Sequence, residues 1–288
     1  MFQFTDAIVR KAERVASRGS SVDAIRVLRR LSLADFGELF WNLPAPALPN
    51  LSAVLPRMAD VATQNSFTGT NGHSLLTQSL AFISSIRTTY AEHFGRKLQD
   101  IDLLDFGCGY GRLIRLMYYF TDPSRIWGLD PWEEALNLCR ADGVMANFGR
   151  SEYHPVTLPV ADRQFDLIYA FSVFTHTSER ATKTGLKALG RHANPGSLCF
   201  ITIRPQEYWA ANKEYETQLE ELTSEHRANA FAFRPHNLPP IDGDIPFGDT
   251  SMEVAWLRAA AEPDWEIFGL DRSQDDPYQL IIILKRTV

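Results

Sequence analysis

Asp105-Phe106-Gly107-Cys108-Gly109-Tyr110-Gly111 decides the fold of this chain. It ends the short apolar run Ile101-Asp102-Leu103-Leu104-Asp105-Phe106 and precedes Leu113, Ile114, Leu116 and Met117, which follow helical spacing. A short, punctuated apolar run reads as a buried parallel strand. The glycines let the backbone turn tightly and come close to a ligand. A strand handing over to a helix through such a turn places that ligand outside the carboxyl ends of a parallel sheet.

Working outward, the same rhythm recurs. Strands are expected at Arg125 to Asp130, near Glu152 to Val156, at Phe165 to Phe171 and at Leu198 to Ile203, with helices at Glu133 to Arg140 and over residues 179–192. Residues 206–248 interrupt the pattern, with a helix from Tyr208 to about Ala228 and then a loop rich in Pro, Gly and Asp. A helix from Ser251 to Ala261 and strands at Trp265 to Leu270 and Tyr278 to Lys285 follow. Only the six residues Asp271 to Asp276 precede Pro277 and the last strand, too few for a crossover helix, so the last two strands should be antiparallel. The expected class is α/β, a Rossmann-like seven-stranded, mostly parallel sheet with an antiparallel last strand and helices on both faces. Before it, residues 1–97 read as a helical extension. Ala7, Ile8, Ala12, Val15 and Ala16, then Val22, Ile25, Leu28 and Leu31, keep helical spacing. Pro44 to Asn50 breaks regular structure, and a longer helix with Leu75, Leu76, Leu80, Ile83 and Ile86 on one face follows Thr70-Asn71-Gly72. The division expected is 1–97 as an extension or lid and 98–288 as the main domain, with 206–248 as an insert covering an acceptor.

Composition narrows the function. The 288 residues hold 29 Lys and Arg against 35 Asp and Glu, a formal net charge of −6, which argues against a nucleic-acid-coating protein. No run of 18 apolar residues occurs, so no membrane span is expected. The start Met1-Phe2-Gln3-Phe4 lacks a secretory pattern, so the expected location is cytoplasmic. Cys108, Cys139 and Cys199 give neither a disulfide framework nor a CxxC pair, and no metal site is expected. Oligomeric state is not legible.

The turn also discriminates between nucleotide chemistries. A dinucleotide site wants G-x-G-x-x-G, but that register puts Arg112 at the third glycine. An acid such as Asp105 has little use beside a pyrophosphate and a clear one beside a cationic amino-acid group. Asp130, 19 residues after Gly111, ends the next strand, where a carboxylate can accept from both ribose hydroxyls. Pro131-Trp132 follows, and an aromatic there can pack on adenine.

Residues 98–205, and less clearly 249–286, resemble class I S-adenosylmethionine-dependent methyltransferases. The resemblance is carried by Leu104 to Arg112, Trp127-Gly128-Leu129-Asp130, Leu158-Pro159, Phe165 to Ala170, Ser172-Val173-Phe174-Thr175-His176 and Asn194-Pro195-Gly196. The Ser-Val-Phe-Thr-His wording is similar to a bacterial subgroup of small-molecule and glycan-modifying enzymes. The resemblance implies S-adenosylmethionine as cofactor and a seven-stranded sheet with its last strand antiparallel. Asp105, Gly107 and Gly109 would serve the methionine end, with Cys108 and Arg112 of the same turn among the cofactor-binding residues, Asp130 the ribose, and Pro131 or Trp132 the adenine. His154, next to Tyr153, stands where the family often has an adenine-binding Asp, and Phe171 and Ser172 would lie near the sulfonium. His176 is the catalytic candidate, an imidazole able to take a proton from an acceptor hydroxyl or amine. Arg204 could hold an anionic acceptor or form a surface ion pair. His236, Asp242 and Asp244 read as solvated loop residues, and Phe231, Phe233 and Phe247 as pocket lining or loop anchors. The expected activity is methyl transfer to an oxygen or nitrogen of a small-molecule or sugar acceptor. The alternatives are a cofactor-binding protein without turnover and, with less support, a nucleotide-dependent oxidoreductase.

Overall fold

A computed structural model describes residues 3–273 and 276–287, which cluster into two compact units, 1–150 and 151–288. The first unit opens with six helices: α1 (Gln3–Ala16), α2 (Ser21–Leu28), α3 (Leu33–Trp41), α4 (Pro49–Val54), α5 (Val61–Thr68) and α6 (Gly72–Phe94). Their starts are set by side chains that satisfy otherwise orphaned backbone donors. Ser20 Oγ accepts from the Asp23 N–H, Ser32 Oγ from Asp35, and Asp60 Oδ1 from Thr63. The apolar stripes face inward, with Ile25, Leu28, Phe36, Phe40, Ile83 and Ile86 wholly buried. Strands β1 (Leu103–Phe106), β2 (Ile126–Asp130) and β3 (Asn147–Arg150) then alternate with α7 (Arg112–Met117) and α8 (Glu133–Ala141). All three strands are parallel, with β2 central.

The third strand is not at Glu152 to Val156. It lies earlier, at Asn147–Arg150, where Phe148 pairs with Gly128 and Arg150 with Asp130. Its half-exposed Asn-Phe-Gly-Arg wording carries no apolar run, which is why periodicity misplaced it.

The second unit holds β4 (Phe165–Ala170), α9 (Glu179–Arg191), β5 (Ala193–Ile203), α10 (Tyr208–Ala211), α11 (Leu219–Asn229), β6 (Phe231–Pro235), β7 (Gly248–Met252), α12 (Val254–Ala261), β8 (Trp265–Arg272) and β9 (Leu280–Arg286). β4 and β5 are parallel, β9 is antiparallel to β5, and β8 is antiparallel to β9. The seven main strands are ordered β3-β2-β1-β4-β5-β9-β8, the expected mostly parallel sheet with its last strand, β9, antiparallel to both neighbours. Gln274 and Asp275, in the connector that predicted this, lie outside the described residues.

Two expectations for the insert fail. The helix from Tyr208 is broken: Asn212 turns its side-chain oxygen onto the Glu214 N–H, and a 3-10 segment, Lys213–Gln218, separates α10 from α11. The flanks of the expected loop and the helix start at Ser251 give way to a two-stranded antiparallel sheet, β6 with β7, which pairs Phe231 with Met252 and Pro235 with Gly248, while residues 236–247 form the loop between them. A Cβ at Gly248 would lie 2.1 Å from the Arg234 carbonyl oxygen, so this hairpin closes only around glycine. The insert has its own small core of Trp209, Tyr215, Leu222 and Ala232, with Tyr208 and Leu219 against it.

Candidate active site

In the first unit, the end of β1 and the end of β2 bring two carboxylates to one turn. Asp105 is 2% exposed and Asp130 8% exposed. Gly107, Gly109 and Gly111 all have positive φ, at 78°, 52° and 74°, a conformation that costs side-chain-bearing residues about 1–2 kcal/mol. The Asp130 carboxylate pins the turn: Oδ2 accepts from the Gly109 N–H and Oδ1 from the Trp132 N–H, both at 2.9 Å. Burial pushes the Asp130 carboxyl up, and the bonds from Trp132 and Gly109 work the other way. Each oxygen of an ionised carboxylate has a second acceptor position, so the donors suited to this turn are hydroxyl and ammonium groups. A pyrophosphate would face two buried acids, whereas an amino acid joined to a ribose presents the matching donors. The residues present fit S-adenosylmethionine.

Trp132 is 37% exposed, as an aromatic platform requires. Phe67, which sequence reasoning did not single out, packs against it. Its ring stands edge-on to Tyr110 and to Trp132, with centroids 5.4 and 6.1 Å away, and its Cδ1 would be 3.4 Å from a Cβ on Gly109. Phe67 comes from α5, in a stretch without apolar periodicity, so no local signal marked it.

The Cys108 thiol is buried and points to the Gly109 carbonyl at 3.7 Å, which also accepts from Cys139 at 3.2 Å. The neighbouring Cys139 and burial raise the Cys108 thiol well above the usual range, so it stays neutral. All three cysteines are free. Arg112 turns its guanidinium to α6, donating to Ser79 Oγ at 2.7 Å and Gln78 Oε1 at 3.1 Å. The Pro131 carbonyl accepts from Arg150.

Residues 103–196 match a family model described as a methyltransferase domain. Over those residues the chain carries a methyltransferase domain. Solved structures agree on the fold. A S-adenosylmethionine-dependent methyltransferase from Clostridium acetobutylicum is 13% identical, with a TM-score of 0.51, over 79% of this chain and 97% of its own. The magnesium protoporphyrin IX methyltransferase of Synechocystis, solved with bound SAH, is 14% identical, with a TM-score of 0.50, over 79% of this chain and 98% of its own.

The second unit of this methyltransferase gathers the remaining predicted residues around β4 and the insert. Phe171 and Ser172 follow β4. Ser172 has φ +59°, and its N–H donates to Thr202 Oγ1 at 2.7 Å, which holds the strand end in this uncommon conformation. Tyr153 is half-buried. His154 shares a hydrogen bond with Asp244 Oδ2 at 2.9 Å. Asp244 also accepts from Ser178 Oγ, so it is no solvated loop acid: burial raises its carboxyl, but Ser178 and His154 draw it below the usual range. Asp242 is exposed, as expected.

His176 is fixed twice to Gly248. Its carbonyl accepts from the Gly248 N–H at 2.9 Å, and its ring Nδ1 reaches the Gly248 carbonyl at 2.9 Å. Its Nε2 lies 3.0 Å from Arg204 Nη2. Burial, then the Arg204 charge, lowers the His176 pKa to about 4. Arg204 follows β5 and donates to the Thr175 carbonyl and to Asp249 Oδ1, with its guanidinium 4.0 Å above the Tyr208 ring. Asp249 also accepts from Tyr208 at 3.0 Å and from Tyr215, and pairs with His236 Nε2 at 3.1 Å. His236 is thus tied to the cluster rather than solvated. Burial would raise the Asp249 carboxyl, but Arg204 and His176, with the bonds from Tyr215 and His236, hold it well below the usual range. Phe247 stacks on His176 with centroids 5.4 Å apart, whereas Phe231 packs on Trp256. With His176 Nδ1 at 3.4 Å as a fifth partner, Asp249 was not singled out from sequence, because a lone Asp in a polar stretch has no signature until these partners converge.

Among the described residues, no helix is long and apolar enough to cross a membrane and no His, Cys, Asp or Glu group is arranged to hold a metal.

Proposed function

We propose that this methyltransferase acts on an oxygen or nitrogen atom of a small-molecule or sugar acceptor. When bound, the cofactor supplies a methyl group on a sulfonium centre; the protein supplies binding, alignment and exclusion of water. The carrying observation is the Asp130 carboxylate. It is buried beside a turn of three left-handed glycines, holds the backbone of Gly109 and Trp132, and keeps acceptor capacity for ribose hydroxyls. On the first unit we assign Asp105 to the amino-acid ammonium group, Gly107, Cys108 and Gly109 to backbone contacts, Pro131 and Trp132 to adenine, and Arg112 to holding the turn against α6. On the second unit we assign Tyr153 and His154 to adenine and Phe171 and Ser172 to the sulfonium end, which rest on the resemblance, and His176 to receiving the acceptor's proton, which rests on its place after β4 and its imidazole. Residues 1–97 as a lid and 206–248 as the acceptor-side cover belong to the same proposal.

Calorimetry with S-adenosylhomocysteine tests it. Wild type should bind, and Asp130→Ala, which removes two or more bonds to a charged group at about 1.5 kcal/mol each, should weaken binding at least about 100-fold with its circular-dichroism spectrum retained. Unchanged affinity refutes the ribose assignment.

A further inference from the structure

The His176 ring has a determined tautomer. The Gly248 carbonyl can only accept, so Nδ1 carries the hydrogen and Nε2 holds the ring's single lone pair. Arg204 Nη2 donates into that lone pair at 3.0 Å. A histidine meant to receive a proton therefore has its basic atom covered by a guanidinium.

That cover is a weak partner for an arginine. A neutral imidazole nitrogen is a modest acceptor for that N–H, whereas a carboxylate or phosphate oxygen accepts it in a charge-assisted bond about twice as strong. The other end of Arg204 is anchored: Nη1 is on Asp249 and the Thr175 carbonyl, and Tyr208 lies under the plane. Only Nη2 has a partner it can exchange for a better one. The groups facing His176 are Arg204, Asp249, His236, the Gly248 carbonyl and the Phe247 ring. The Arg204 and His176 side chains are 11% and 22% exposed, while Asp249, at 7%, is the floor. An oxyanion arriving from solvent meets the arginine and the imidazole before it meets the acid.

Resting on the methyl-acceptor reading above, we propose that the acceptor carries an oxyanion, a carboxylate or phosphate, which takes Arg204 Nη2 from His176 Nε2 and so uncovers the imidazole for the acceptor's proton. Arg204 is then the residue that selects the acceptor, and His176 becomes a base only in its presence.

The test uses the full chain with its histidines labelled with nitrogen-15 and S-adenosylhomocysteine present, with His176 assigned from His176→Gln. Benzoate and inorganic phosphate are the anionic probes, separating the two oxyanions, and benzyl alcohol is the neutral control. One or both anions should saturably shift the His176 Nε2 resonance, and benzyl alcohol should not. Arg204→Met should show the uncovered Nε2 position without probe and no response to it. Should that variant fail to fold, Arg204→Lys, which keeps the charge but has one nitrogen and so cannot stay on Asp249 and present a second nitrogen to the probe, should bind the active probe at least tenfold more weakly. Equal responses to benzoate and benzyl alcohol, no response to either anion, or an undiminished response in Arg204→Lys overturns the proposal. Calorimetry on the same sample separates the two levels: S-adenosylhomocysteine binding without an anion response removes only the oxyanion assignment, and loss of both removes the methyltransferase site assignment.

Discussion

Removing the carboxylate of Asp249 should unlatch the insert. The side chain is 7% exposed and accepts from Arg204, Tyr208, Tyr215 and His236. Asp249→Ala leaves the Arg204 charge, itself 11% exposed, without its counter-ion. Breaking a buried pair from one side costs about 3–5 kcal/mol, because the survivor keeps its desolvation penalty and loses its attraction. Arg204→Met should cost a similar amount for the mirror-image reason. The double variant removes both charges and should cost about 3 kcal/mol less than the sum of the singles, the coupling energy of the pair. Urea unfolding of the four proteins measures this, with amide exchange at β6 and β7 reporting the insert itself. Tyr215 and Trp209 are buried beside the latch, so the insert's core should loosen in the same transition. Single variants costing under about 1 kcal/mol, or strict additivity, would refute the latch, because either result means that water already screens the pair.

Acid should destabilise the protein in a definable window. His176 titrates near 4 when folded against 6.5 as an ordinary histidine, so between those values the unfolded chain binds the extra proton and stability falls as pH falls. The loss is at most about 3 kcal/mol at 1.36 kcal/mol per unit, and Asp249, held low mainly by Arg204 against the effect of burial, adds a further loss below the ordinary carboxylate range. Urea midpoints at pH 7.5 and 4.5 should differ less in His176→Gln than in wild type; an equal difference counts against the assignment. Arg115 makes a second buried junction, donating to the Tyr110 carbonyl and the Arg57 carbonyl at 2.7 Å each. Arg115→Met should destabilise by about 2 kcal/mol net of the guanidinium's own desolvation. Arg115→Lys, lacking the fork, should not rescue it, and an unchanged urea midpoint in either variant refutes the junction.

The parts of this molecule legible in sequence are those built from local periodicity and punctuation. Leu103 to Phe106 followed by three glycines, and Asp130 closing the next apolar run, marked the strand ends and the cofactor chemistry, since both depend on residues within one strand and one turn. The antiparallel final strands followed from a connector too short to cross over. By contrast, β3 was misplaced because Asn147 to Arg150 are half-exposed and gain their strand character from pairing with β2. Strand β7 escaped detection for a sharper reason. Gly248-Asp249-Thr250-Ser251-Met252 is wholly buried yet polar. Thr250 Oγ1 reaches the Thr177 carbonyl and Ser251 Oγ meets Trp209 and His226, so burial is supported by bonds to residues distant in the chain rather than by apolar surface. No window of sequence contains those partners.

The sequence by itself determined the class of sheet and the glycine turn with its two acids, because each depends on spacing within a few residues. Only the tertiary structure brought Phe67 to the glycine turn, converged five side chains on Asp249 and covered Nε2 of His176 with Arg204. Those contacts span tens of residues, and their energies exist only once distant segments have excluded water together.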